Sequence, residues 1–306
     1  MITLALNFLD WNGIVASLKL LDPLILVAAL IICTLQFFFL GVRWYLMVNK
    51  IVPIPFLNHM GHYFIATFVN TFTPANIGGD LYRVFKLKAY VAKTKLLVLE
   101  IIRERVIGLL SFFLVYILCY LLALALFIDG QSGFNEAFHI GAMIILTGIV
   151  CILFFSKIMV IGSVISLIKP FPKIIDIFNK LKKMSLFSSN KEFVILMMPS
   201  LLAFFMWLLA LQIISVQLEV DLAWYIMGII AASVELIRLI PISIQGIGIR
   251  ESAFAFLFLE FGQSAETGFV LGMTVYLLLS VSIVFAGLIG WLLMSIASDT
   301  KAFLHD

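Results

Sequence analysis

Apolar residues run through this chain in long unbroken blocks, parted by short clusters of charge, proline and glycine. A helix needs about 20 residues to cross a bilayer. Five blocks reach that length: 24–48, 96–128, 137–156, 193–218 and 267–298. Two more apolar stretches, 56–91 and 222–260, are interrupted midway. The first contains Pro74-Ala-Asn-Ile-Gly-Gly-Asp80-Leu-Tyr-Arg83, the second Pro241-Ile-Ser-Ile-Gln-Gly-Ile-Gly-Ile-Arg-Glu251. Proline removes a backbone donor, and glycine permits conformations other residues resist. A broken helix carrying charge survives in a membrane only inside protein or beside a wet cavity. The pattern predicts an all-α polytopic integral membrane protein forming a single transmembrane domain over 1–306. About five full transmembrane helices are joined there by two oppositely oriented re-entrant helical hairpins, 56–91 and 222–260, in an inverted-repeat-like arrangement. The polar start 1–23 is too short to span. The lysine-rich connection 157–191 has apolar residues at helical spacing, which predicts an amphipathic helix on the membrane surface.

Composition agrees. Of 306 residues, 63% are hydrophobic and 12% charged, where soluble proteins carry about 25% charged. The mean hydropathy is +1.18. The segment from Met1 to Trp11 lacks the basic leader and cleavage site of a signal peptide. A net charge of +3 points to no nucleic acid. Its distribution says more, because basic residues gather on the cytoplasmic face. With both interrupted stretches folded back as hairpins, Lys50, the cluster from Arg83 to Lys95, the lysine-rich connection and the C-terminus share one face. The acidic turns holding Asp129, Glu219, Asp221 and Glu266 share the other. If 56–73 crossed fully, this sorting would be lost. The expected location is the cytoplasmic (inner) cell membrane, multi-pass, with 157–191 and the C-terminus cytoplasmic.

The two breaks hold the candidate chemistry. Asn76, Gly78, Gly79 and Asp80 open a half-helix whose free N–H groups would attract an anion. Asp80 could equally cap that helix or pair with Arg83 one turn on. Gln245, Gly246 and Gly248 lead into a second half-helix bearing Arg250 and Glu251, which point to different partners. Glu235 and Arg238, three apart, can pair with each other. In Arg103-Glu104-Arg105, the bland account is a surface cluster; Arg105 could instead turn inward toward a phosphate, which suits its planar fork. Arg43-Trp44-Tyr45 has the composition of an interfacial anchor. His59 and His62 lack a third metal ligand and read as an interfacial polar pair. Cys33, Cys119 and Cys151 lie in apolar runs as small buried hydrophobes. Gly108, Gly228, Gly272 and Gly290 suit close helix packing. The sequence shows no catalytic constellation, no metal site and no need of a cofactor.

Three motifs carry a resemblance: the run from Asn70 to Arg83, Glu104-Arg-Val-Ile-Gly-Leu-Leu110, and the run from Pro241 to Glu251. With the Arg43-Trp44 pair, their order and spacing resemble the lysylphosphatidylglycerol synthase transmembrane (flippase-like) family, over about residues 24–298. The resemblance implies movement of an anionic or aminoacylated phospholipid, or a lipid-linked intermediate, between leaflets. Members of that family usually have a further helix before the span corresponding to 24–48, and the larger synthases carry a soluble acyltransferase domain after the membrane region. Neither is in this sequence, so aminoacyl transfer is not expected. The leading expectation is a non-enzymatic lipid translocase whose headgroup site is formed by Asn76, Gln245, Arg238, the amides of Gly78, Gly79, Gly246 and Gly248, and Arg83, Arg105 and Arg250 on the phosphate, with Asp80, Glu104, Glu235 and Glu251 balancing those cations or contacting an amine. The alternatives are a membrane glycosyl- or phospho-transferase acting on a lipid carrier, with Asp80 or Glu251 as base, and a scaffold subunit docking a partner enzyme through its lysines. A homo-oligomer stays open in each case.

Overall fold

The computed structural model describes residues 10–73, 77–91, 93–126, 190–238 and 248–302. Among them every regular element is a helix: α1 (Trp11–Lys19), α2 (Pro23–Val48), α3 (Phe56–Asn70), α4 (Gly78–Leu87), α5 (Thr94–Leu126), α6 (Asn190–Gln217), α7 (Trp224–Ile237), α8 (Ile249–Glu260) and α9 (Ala265–Ala302). Residues 1–133 and 196–306 form one compact unit and 134–195 another. The helix packing and the cavity belong to the first. The expected span 137–156 and nearly all of the surface helix 157–191 lie outside the described residues, as do the tips 74–76 and 239–247.

Four helices, α2, α5, α6 and α9, are long and apolar enough to cross a membrane. Their starts follow from local sequence. Asp22 accepts from the Leu24 N–H at 2.7 Å, and Pro23, lacking a donor, fills the first turn where none is needed. Large apolar side chains on α2 face outward at helical spacing: Leu24, Val27, Ile31, Leu35 and Phe38 are all exposed. Such a stripe would be a liability in water; against acyl chains it is the expected surface. Inside, α7 is apolar nearly all round, and Met227, Ile229, Ile230, Ala231 and Ala232 are fully buried, as suits a central helix.

The remaining helices are short. α3 and α4 have 15 and 10 residues, α7 and α8 have 14 and 12. At about 1.5 Å per residue each falls short of a hydrocarbon core of about 30 Å. They are seated by close contacts. α9 lies along α3 and α8, α7 against α5 and α8, and α4 against α3 and α5. α3 and α9 cross at Gly61 and Gly290, where a Cβ on Gly290 would stand 2.9 Å from the Gly61 carbonyl oxygen. A Cβ on Gly79 would reach within 2.0 Å of the Ala66 carbonyl oxygen, so α4 meets α3 only because that residue is glycine. Gly228 and Gly272 also sit in tight helix contacts. Gly108 does not: its nearest neighbour is the Arg43 guanidinium at 3.5 Å, an ordinary contact, and it faces a cavity.

Candidate functional site

The start of α4 is capped from the helix before it. The Gly78 N–H donates to Thr73 Oγ1 at 2.9 Å, and the Gly79 N–H to Asn70 Oδ1 at 2.7 Å. Ile77 holds the N-cap position, so the expectation that Asp80 caps this helix is corrected. α8 starts with a similar economy. Gly248 has a φ of 81°, which only glycine adopts readily, and its N–H donates to Glu251 Oε2 at 2.8 Å. The Gly78, Gly79 and Gly248 amides are therefore taken by this chain's own side chains, and Glu251 is engaged as a cap. The anion-holding role expected of these amides is not what the structure shows, because a committed N–H has no second hydrogen to give. Asn76, Gln245 and Gly246 lie outside the described residues.

With its carboxylate released from capping, Asp80 turns to arginines. Arg83 Nη2 donates to Asp80 Oδ1 at 2.7 Å, and Arg105 Nε donates to Asp80 Oδ2 at 3.0 Å. The other arm of Arg83 donates to Glu104 Oε2 at 2.6 Å. Glu104 Oε1 takes a second arginine, Arg43 of α2, at 3.2 Å, and Arg43 also donates to Ser200 Oγ of α6 at 2.9 Å. One network thus ties α2, α4, α5 and α6. A second joins α7 to α8: Arg238 and Arg250 both pair with Glu235, the latter at 3.3 Å. Arg43, Arg83, Glu104, Glu235 and Arg250 are each at most 7% exposed. Aromatic faces support two of the cations. The Arg83 guanidinium lies 4.1 Å from the Trp44 ring centroid and Arg250 5.6 Å from that of Tyr276.

Both networks line one cavity of about 350 Å³. Its wall contains five arginines (43, 83, 105, 238, 250) against three carboxylates (80, 104, 235), a net charge of +2 among the described residues. Nε of Arg43, Arg83, Arg238 and Arg250 and Nε1 of Trp207 are closed off from the cavity space and find no acceptor among the described residues. Phe37, Leu40, Leu109, Phe112 and Ile283 supply an apolar wall. A ligand matching this wall would be negatively charged and partly apolar.

Several expectations change here. Arg43 and Trp44 are no interfacial anchor, since both are buried beside the cavity. Glu104 is not part of a surface cluster. His59 and His62 are buried rather than interfacial, and they serve separate partners, the Val52 carbonyl oxygen and the Tyr82 hydroxyl. The sequence reading missed Ser200, Trp207 and Tyr276. It also missed a signal that was present. Cavity-lining polar residues recur at helical spacing on three helices: Gln36 and Arg43, then Tyr63, Thr67 and Asn70, then Glu104 and Ser111.

These helices and this charged interior define a multi-pass membrane protein of a lipid-related kind. The chain belongs to the family described as lysylphosphatidylglycerol synthase TM region, whose model matches residues 1–290. No curated protein and no solved structure showed significant similarity to it.

Proposed function

We propose that this protein is a lipid translocase of the cytoplasmic membrane, carrying a phosphate-bearing headgroup between leaflets without a chemical step. The observation that carries this reading is a cavity lined, among the described residues, by five arginines against three carboxylates within a membrane-spanning bundle. A charged side chain at the bilayer centre costs about 3 kcal/mol on insertion scales. Eight of them around one space is a cost that a purely structural bundle does not need. A headgroup phosphate would accept from Arg43, Arg83, Arg238 and Arg250, with Arg105 at the edge. The acyl tails would stay against the apolar wall and the surrounding lipid.

The shortness of α3, α4, α7 and α8 supports the hairpin reading, in which each pair enters and returns on one side. α4 and α8, which follow the two breaks, both bring arginines to the same cavity, as an inverted-repeat transporter would require. Alternating access would follow from rocking of one pair against the other.

The test is leaflet exchange of tail-labelled phosphatidylglycerol in vesicles containing the purified protein, read with a membrane-impermeant quencher. Exchange should exceed that of protein-free vesicles. A hydrogen bond to a charged group is worth about 1.5–3 kcal/mol, so Arg83→Ala and Arg250→Ala should each slow exchange about tenfold or more. Wild-type exchange at the protein-free rate would sink the reading.

A further inference from the structure

Translocation does not itself say whether the cavity prefers an anionic headgroup or an aminoacylated one. An amine-bearing headgroup needs a carboxylate to receive it. Three carboxylates line the cavity among the described residues, and each is already held by two arginines. Asp80 has Arg83 and Arg105, Glu104 has Arg83 and Arg43, and Glu235 has Arg238 and Arg250. Glu251 of α8 is turned to the Gly248 amide. An incoming ammonium would meet two guanidinium groups at each of these three carboxylates. Like charges brought together across an interface cost several kcal/mol. An incoming phosphate meets the reverse situation, a wall of five arginines against three carboxylates among the described residues.

Resting on the translocation reading above, we propose that the headgroup this cavity selects is an anionic phosphate without an amine, and that aminoacylated lipids are rejected. The discrimination comes from the arginine surplus: among the described residues, no cavity carboxylate is left with a single partner. The neutral part of the headgroup is free to be a polyol or a sugar, since Gln36, Thr67, Asn70, Ser111 and Ser280 line the same space.

The experiment compares phosphatidylglycerol with its lysyl ester, which share backbone and tails and differ in the amine-bearing residue. Both carry a tail label in vesicles holding the full chain. In parallel, the thermal midpoint of the detergent-purified protein is measured with short-chain forms of each lipid and with inorganic phosphate. The anionic lipid should exchange about tenfold faster or more, given the like-charge cost, and should raise the midpoint where the lysyl ester does not. Equal or faster exchange of the lysyl ester would overturn the selectivity while leaving translocation standing. Selective stabilisation by short-chain phosphatidylglycerol with no exchange of any lipid would uphold the selectivity and end the translocation reading. A midpoint raised as much by inorganic phosphate as by the short-chain lipid, with both lipids exchanged alike, would mark a soluble-anion site and overturn the proposal. Arg105→Ala adds a second handle. Its side chain is 51% exposed, so the variant should fold. By leaving Asp80 with Arg83 as its paired arginine, it should bring the two exchange rates closer together. An unchanged ratio would count against the proposed origin of the discrimination.

Discussion

Glu104 lies between two guanidinium groups carried by other helices, Arg83 on α4 and Arg43 on α2. Buried at 4% exposure, it holds together charges that would otherwise face each other unbalanced. Removing one member of a buried ion pair costs about 3–5 kcal/mol, because the partner is left uncompensated. Glu104→Ala should lower the thermal midpoint in detergent by a corresponding amount, and Glu104→Gln, which keeps an acceptor, by less. In a cycle with Arg43→Ala, the double variant should lose less than the two single losses combined, since the residues share one interaction. Additive losses would show that they do not. Which of these pairs could be read from sequence depended on distance along the chain. Asp80 with Arg83 and Glu235 with Arg238 are three apart, one helical turn, and the spacing announces them. Arg83 with Glu104 and Arg43 with Glu104 are 21 and 61 residues apart, and no periodicity reports a contact between helices. Arg43 was misplaced for a related reason. Arginine beside tryptophan at the end of an apolar helix has the same composition whether it snorkels to an interface or turns inward to a carboxylate, as Arg43 does to Glu104.

The helices themselves were legible wherever a long apolar block made length the deciding quantity. Blocks near 24–48, 96–128, 193–218 and 267–298 became α2, α5, α6 and α9, with ends shifted by a few residues. The breaks were legible too, because proline and paired glycines mark them, yet their role was only half visible. The glycines at the start of α4 suggested amides free for an anion. In the structure the Asn70 and Thr73 side chains, from the end of α3 and just beyond it, take those amides, and Gly79 is required for clearance against Ala66. The tertiary neighbour decides this, and sequence does not name it. Two substitutions separate the uses of glycine. Gly79→Ala places a Cβ against a backbone oxygen that cannot swing aside, so it should cost about 1–3 kcal/mol or more, as overpacking does. Gly108→Ala meets a guanidinium at contact distance and gains helix propensity of up to about 1 kcal/mol, so its thermal midpoint should hold or rise. Melting curves for the two variants, measured side by side, check the contrast. Equal destabilisation would mean that Gly108 is also a packing glycine.

For the molecule as a whole, the hairpin reading makes a demand on sidedness that helix lengths alone do not. If α3 and α4 enter and return together, the α2–α3 and α4–α5 connections share a face. If α7 and α8 do the same, the α6–α7 and α8–α9 connections share the opposite one. Lys50 and Lys93 sit exposed in the first two connections, Asp221 and Ser264 in the last two. The basic pair on one side and the acidic turns on the other fit the charge rule for cytoplasmic loops. With Cys33, Cys119 and Cys151 first replaced by alanine, single cysteines at these four positions can be labelled by a membrane-impermeant maleimide in intact cells and in inverted vesicles. Lys50→Cys and Lys93→Cys should react in inverted vesicles and resist in intact cells. Asp221→Cys and Ser264→Cys should do the opposite. Were α3 to cross fully, Lys50 and Lys93 would react from opposite sides, α4 and α8 would no longer approach the cavity as mirror-related entrants, and the two-sided translocation path would lose its structural basis. A pattern of two and two keeps that path open, because the arginines delivered by α4 and α8 would then reach one headgroup from opposite faces of the membrane.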